Sequence, residues 1–240
     1  EDVEEMEVRE REREDEEDVE EMESKKEVRR LFVNLSRIYP QECMETLTSA
    51  FSSLSQPLSS APFPPLEASL RLLHALGECG PAHINSLSEL QLPSLLIALH
   101  QSDVGNHPHP QVLLAYFEVC ARYASICTTQ DLQCVVTHLT GTSGLRSSNT
   151  QLRSRCAYFL FKLCESLSTR AVILLPAVNS FADLLLYDPG ECGPLSEQAE
   201  VYVLEAVALM TAASLSSYEE RERERIHLTQ TTLLTDIIST

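Results

Sequence analysis

The stretch GLRSSNTQLRSRCAYFLFKLCESL, residues 144–167, decides what kind of fold this chain builds. Within it Leu152, Cys156, Phe159, Leu160, Leu163, Cys164 and Leu167 recur at three- and four-residue spacing, the apolar stripe of an amphipathic helix that must bury one side against other helices. Arg153, Arg155, Tyr158 and Lys162 read as falling away from that stripe, which leaves a basic, partly aromatic face for a partner. Upstream, Leu113, Tyr116, Phe117, Cys120, Ala124 and Cys127 trace a second buried seam with the same period.

Outward from this helix the same pattern repeats. Helical periodicity, broken at Pro, Gly and Ser, predicts pairs at 24–38 with 41–55, 66–79 with 86–101, 110–126 with 129–140, 149–167 with 170–187, and 195–214 with 218–238. Pro40 divides the first pair, and a stiff loop holding Pro57, Pro62, Pro64 and Pro65 follows it. The pair starts at 24, 66, 110, 149 and 195 lie 39 to 46 residues apart, which is the period of a HEAT- or armadillo-like solenoid. The expected fold is therefore all-α, an arc of about five helix pairs over residues 24–240, preceded by an acidic low-complexity loop or insertion at 1–23.

Composition agrees with helices. Hydrophobic residues make up 43% of the 240, aromatics only 6%, and Trp is absent, so the apolar mass is Leu, Ala, Val and Ile. Seven glycines are too few for a nucleotide fold built on Gly-rich turns or for a β-rich fold with many corners. The formal charge is −18, of which residues 1–30 contribute −9 through 16 acids and 7 bases. So charged a leader buries too little apolar surface to offset its ordering entropy. Glu1 stands where an initiating Met is expected, so the chain reads as a segment of a longer protein.

The eight cysteines follow helix faces and contain no CxxC pair, so reduced thiols without metal are expected. His107 and His109 alternate with Pro108 and Pro110 in a rigid turn, away from the seam of Cys120, Cys127 and Cys134, which argues against zinc. Gly141-Thr-Ser-Gly144 is neither a nucleophile elbow nor a phosphate-binding loop. The sequence gives no reason to expect an enzyme, a cofactor or insertion into a membrane, since no apolar run reads as long enough to span one.

One region bears on binding. Arg146, Arg153, Arg155, Lys162 and Arg170 face a single acid, Glu165, between residues 146 and 170. The first four are candidates for phosphate contacts, with the helix start near Ser148 or Asn149 adding peptide N–H groups. The other reading is that these arginines pair with acids of adjacent repeats or cap carbonyls inside the solenoid.

The residues also resemble a known family. Gly144-Leu-Arg, the Ser-rich linker, Leu152-Arg-Ser-Arg and Ala157-Tyr158, together with LLAYFEVCARY at 113–123 and LRLLHAL at 70–76, are similar to the middle of the exportin-T family of importin-β-like (karyopherin) receptors. That resemblance implies a nuclear transport receptor that binds tRNA together with GTP-bound Ran, meets nucleoporins at the nuclear pore, and shuttles between nucleus and cytoplasm. Ran would be held mostly by repeats outside this segment. The four candidates Arg146, Arg153, Arg155 and Lys162 would then touch tRNA phosphates. The alternative is a HEAT-repeat scaffold, or another karyopherin, that binds only proteins.

Overall fold

The computed structural model describes residues 24, 26–54, 56–79, 91–180 and 193–238, with side chains described through Tyr218. The acidic leader 1–23, the predicted helix start at 86–91, the end of the predicted 170–187 helix and Cys192 lie wholly or largely outside these residues. Among the described residues every regular element is helical: α1 (26–38), α2 (Pro40–Ser53), α3 (Phe63–Leu76), α4 (Leu92–Gln101), α5 (Pro110–Tyr123), α6 (Thr129–Thr140), α7 (Thr150–Leu167) and α8 (Glu197–Ile238), with short 3₁₀ turns between them.

The prolines start helices rather than only separating them. Pro40 and Pro110 are the first residues of α2 and α5, and Pro64 and Pro93 sit in the first turns of α3 and α4, where a missing N–H costs nothing. α3 consequently begins three residues earlier than its apolar pattern predicts. Leu58 and Ala61, inside the expected stiff loop, are buried and anchor it to the core. α6 opens on a capping box: the Thr128 hydroxyl accepts from the Asp131 N–H, and the Asp131 carboxylate accepts from the Thr128 N–H at 3.0 Å. Asn149 caps α7 by accepting from the Leu152 N–H at 3.0 Å.

The helices stack in two layers. α3, α5, α7 and α8 pack side by side in sequence order, with α1 against the end of α3, and form a continuous first layer. α2, α4, α6 and the 3₁₀ stretch Ser168–Ser180 form the second. One hydrophobic core runs between the layers from Leu47 to Met210. On the second layer a groove of about 430 Å³ opens between α2 and α4, and another of about 460 Å³ lies along the contact of α6 with Ser168–Ser180.

Two predicted elements come out differently. The stretch from 170 is 3₁₀ rather than α-helical; the Pro176 ring would clash with the carbonyl four residues back in an α-turn, and the run Val172-Ile173 carries stiff β-branched side chains. The predicted break at 214–218 is absent: α8 runs unbroken for 42 residues. Ser214, Ser216 and Ser217 lower helix propensity slightly, but no Gly or Pro follows Pro194, and the Glu/Arg-rich sequence beyond Tyr218 favours helix. Residues Glu197–Tyr218 also reach the length and mean hydropathy (1.4) of a membrane span, contrary to expectation, while their Ala199, Val203, Ala206 and Met210 side is buried in the stack.

Candidate nucleic-acid interface

The structure divides the four candidate cations among three surroundings. Arg153 lies at the N-terminal end of α7 and is only 3% exposed. Its Nε donates to the Leu145 carbonyl at 3.0 Å and its Nη2 to the Gly193 carbonyl at 2.7 Å. A side chain so enclosed has no face for a phosphate, and Arg153 leaves the candidate set. The period explains it: Arg153 stands seven residues before Leu160 and eleven before Cys164, inside the apolar stripe rather than beside it. Arg170, from the same basic stretch, acts similarly, its Nη1 and Nη2 donating to the Ser125 and Cys127 carbonyls at 2.7 and 2.9 Å.

The turn before α7 belongs to the same clamp. Gly141 to Ser147 folds back on the end of α6, with the Leu145 N–H donating to the Leu139 carbonyl at 2.8 Å and Leu145 itself fully buried. A Cβ at Gly144 would sit 1.9 Å from the Leu139 carbonyl oxygen, so only glycine fits this close approach. Arg146 is half-buried at the mouth of the α6 groove, beside Thr137, Ile173 and Pro176.

Arg155 and Lys162 are brought together. Seven residues apart on the solvent side of α7, they line a groove of about 400 Å³ that crosses α3, α5 and α7 and also holds His74, Glu118, Arg122 and Tyr158. The Arg155 guanidinium stands 5.2 Å from the centre of the Tyr158 ring and 3.4 Å from a Glu118 oxygen. Lys162 stands 5.8 Å from the same ring and donates to Glu165 at 2.7 Å. Tyr158 packs edge-on to Tyr202 of α8, 5.4 Å between centroids, which fixes the ring between the two cations. Both ion pairs are partly solvated and hold their acids weakly.

Arg122 is a groove cation that the sequence reading missed; its signal was the Glu118–Arg122 pair at i, i+4, on the side of α5 opposite the seam. Its Nε lies 3.4 Å from His74 Nε2, and its Nη2 lies 3.8 Å from Glu78. Arg29 of α1 donates to both Glu78 oxygens. Burial, reinforced by the Arg122 charge, pushes the His74 imidazole down to about 4, so it is neutral and accepts from Arg122. Burial alone would raise the Glu78 carboxyl, but the Arg29 hydrogen bonds and the charges of Arg29 and Arg122 outweigh it and hold the group below its usual range.

The histidines and thiols form no comparable site. His107 Nε2 lies 3.1 Å from the Ala61 carbonyl while its Nδ1 accepts the His109 N–H, and His109 stacks on Phe63 and caps α5. Cys120, Cys127 and Cys134 each approach a different atom of His100, a residue the sequence reading overlooked. Cys120 Sγ is 3.9 Å from Nδ1, Cys127 Sγ 3.4 Å from Nε2, and Cys134 donates to the His100 carbonyl at 3.3 Å. With two sulfurs on opposite ring nitrogens and the third on the backbone, no single ion can take all of them. Among the described residues no group of three metal-binding side chains converges. Burial raises the Cys127 thiol to about 12 and lowers His100 to about 4, so thiols and imidazole are all neutral and unreactive near pH 7.

Comparisons with known proteins now bear on this arrangement. A family model described as Exportin-T matches residues 3–188. The chain is 29% identical over 215 residues to the Exportin-T of Homo sapiens, 27% over 215 to that of Mus musculus, and 26% over 213 to that of Danio rerio, in each case over 84% of this chain and 22% of the relative. The chain thus spans about a fifth of the length of these curated relatives. No solved structure matches it.

Proposed function

The chain belongs to the exportin-T family, and from that premise we propose that it is a segment of a nuclear transport receptor that binds tRNA together with GTP-bound Ran and carries tRNA from nucleus to cytoplasm. The family match over residues 3–188 carries this reading. A stack of helices with neutral buried thiols and histidines suits reversible binding rather than chemistry. In this reading Arg155 and Lys162, joined by Arg122, touch the tRNA backbone, and Tyr158 holds their side chains apart. Arg146 is a separate contact at the α6 groove. Ran is held mostly by repeats beyond this segment, and nucleoporins are met during passage through the pore.

The test is an electrophoretic binding assay of the full-length receptor with tRNA, with and without GTP-loaded Ran. Arg155→Ala and Lys162→Ala should each weaken binding to all tRNAs alike and lower the log–log salt slope by about one, since a phosphate contact carries charge but little base information. A scaffold that binds only proteins would retain no tRNA under any of these conditions.

A further inference from the structure

Glu78, just beyond the end of α3, stands between two arginines and is held by one of them. Arg29 of α1 donates from Nε and Nη2 to both of its oxygens, the Nε bond at 3.1 Å. Arg122 of α5 reaches the same carboxylate only at 3.8 Å, outside hydrogen-bonding distance. It turns instead to His74, whose Nε2 lies 3.4 Å from its Nε and 3.3 Å from its Nη2. That ring is neutral, so it accepts a hydrogen bond without cancelling the guanidinium charge. The charge is left to the groove, which Arg122 lines together with Arg155 and Lys162 and which Glu78 does not line.

The path of the Arg122 side chain is set as well. It crosses the end of α3 over Gly77, where an added Cβ would stand 2.7 Å from its Cγ and 3.0 Å from its Cδ. From that seat a shift of about 1 Å would shorten the 3.8 Å approach to Glu78 into a charge-assisted hydrogen bond. Two cations thus compete for one carboxylate, and the outcome sets how much positive charge the groove presents. All three side chains keep contact with water, so neither pair is locked. We propose, resting on the reading of this groove as a surface for the tRNA backbone, that Arg29 is a positioning residue. By occupying both oxygens of Glu78 it keeps Arg122 available to a phosphate; without it, Glu78 pairs with Arg122 and offsets its charge. Docking of α1 on α3 then becomes a condition for binding at a groove that, among the described residues, α1 does not line.

Binding of tRNA to the full-length receptor with GTP-loaded Ran, measured across a salt series, tests this. Arg29→Ala should weaken binding about threefold, the size of one partly solvated ion pair. The log–log salt slope should fall by less than one, because the Arg122 charge is offset and not removed. In a Glu78→Gln background the same Arg29→Ala change should have no effect, since the carboxylate for which the two cations compete is gone. A loss of equal size in both backgrounds overturns the inference, because Arg29 would then act as a charge in its own right. So does an Arg29→Ala variant that binds as the parent does while Arg155→Ala binds more weakly, an outcome that leaves the groove reading standing. If Arg155→Ala also binds like the parent, the groove reading fails and the role of Arg29 with it.

Discussion

Two residues apart on α7, Arg153 and Arg155 belong to opposite regions of the molecule. Around Arg153 the chain is closed: the guanidinium replaces water for two backbone carbonyls, Gly144 permits a close turn, and Leu145 is sealed beneath. Around Arg155 it is open, with cations, acids and the rings of Tyr158 and Phe159 sharing a groove. Equal charge therefore does unequal work. In the closed region a polar group is fixed because leaving its partner unpaired is expensive; in the open one it is exchangeable because water stands ready to replace any partner.

The largest expected effect lies in the closed region. Arg153→Ala should cost about 3 kcal/mol of unfolding free energy in urea denaturation, since two carbonyls lose a charged donor in a site that water does not reach. If it unfolds like the parent, the distinction between the two regions fails.

Acid should come next. His100 is held near 4, below its ordinary 6.5, because burial disfavours the charged ring. Its folded pKa being depressed, the unfolded chain binds the extra proton first as pH falls. The contribution is thus complete above pH 6.5 and is lost between there and about 4. A depression of that size is worth about 3 kcal/mol of stability lost across the window, and His100→Phe should flatten the drop. A parent-like slope in that variant would move the effect to the groove, where His74 is also held near 4.

Tyr123→Phe should cost about 1 kcal/mol by removing the buried Oη–H donation to the Leu73 carbonyl at 2.8 Å that ties α5 to α3. Smallest of all, Arg155→Ala should change stability by less than about 0.5 kcal/mol, because its Glu118 pair is half solvated. A melting temperature lowered as far as in Arg153→Ala would make the groove structural and remove the basis for reading it as a binding surface.

The same contrast explains what was legible in the sequence. The stripe from Leu152 to Leu167 and the seam from Leu113 to Cys127 are buried as their period predicts, because burial acts on every apolar residue alike and repeats with the helix. Charge alone puts Arg153 on the open face, but its spacing to Leu160 and Cys164 puts it in the stripe. The groove itself was only half visible: Arg155 and Lys162 share a helix, but His74 and Arg122 reach them from α3 and α5, across distances in sequence that no periodicity encodes. The unbroken α8 was missed for a local reason, since three serines weaken a helix without the geometric veto of Gly or Pro. The block that carries the resemblance in sequence, Gly144-Leu-Arg with Leu152-Arg-Ser-Arg, contains Gly144, Leu145 and Arg153 of the clamp.

The two layers are joined along the stack with unequal tightness: α3, α5, α7 and α8 each pack closely on the next, whereas α2 and α4 make little contact across the groove between them. In a beam whose one flange is stiffer than the other, bending is centred near the stiffer side. On that principle a change of curvature falls first on the gap between α2 and α4, and spacings along α5 and α7, where Arg122, Arg155 and Lys162 stand, change least.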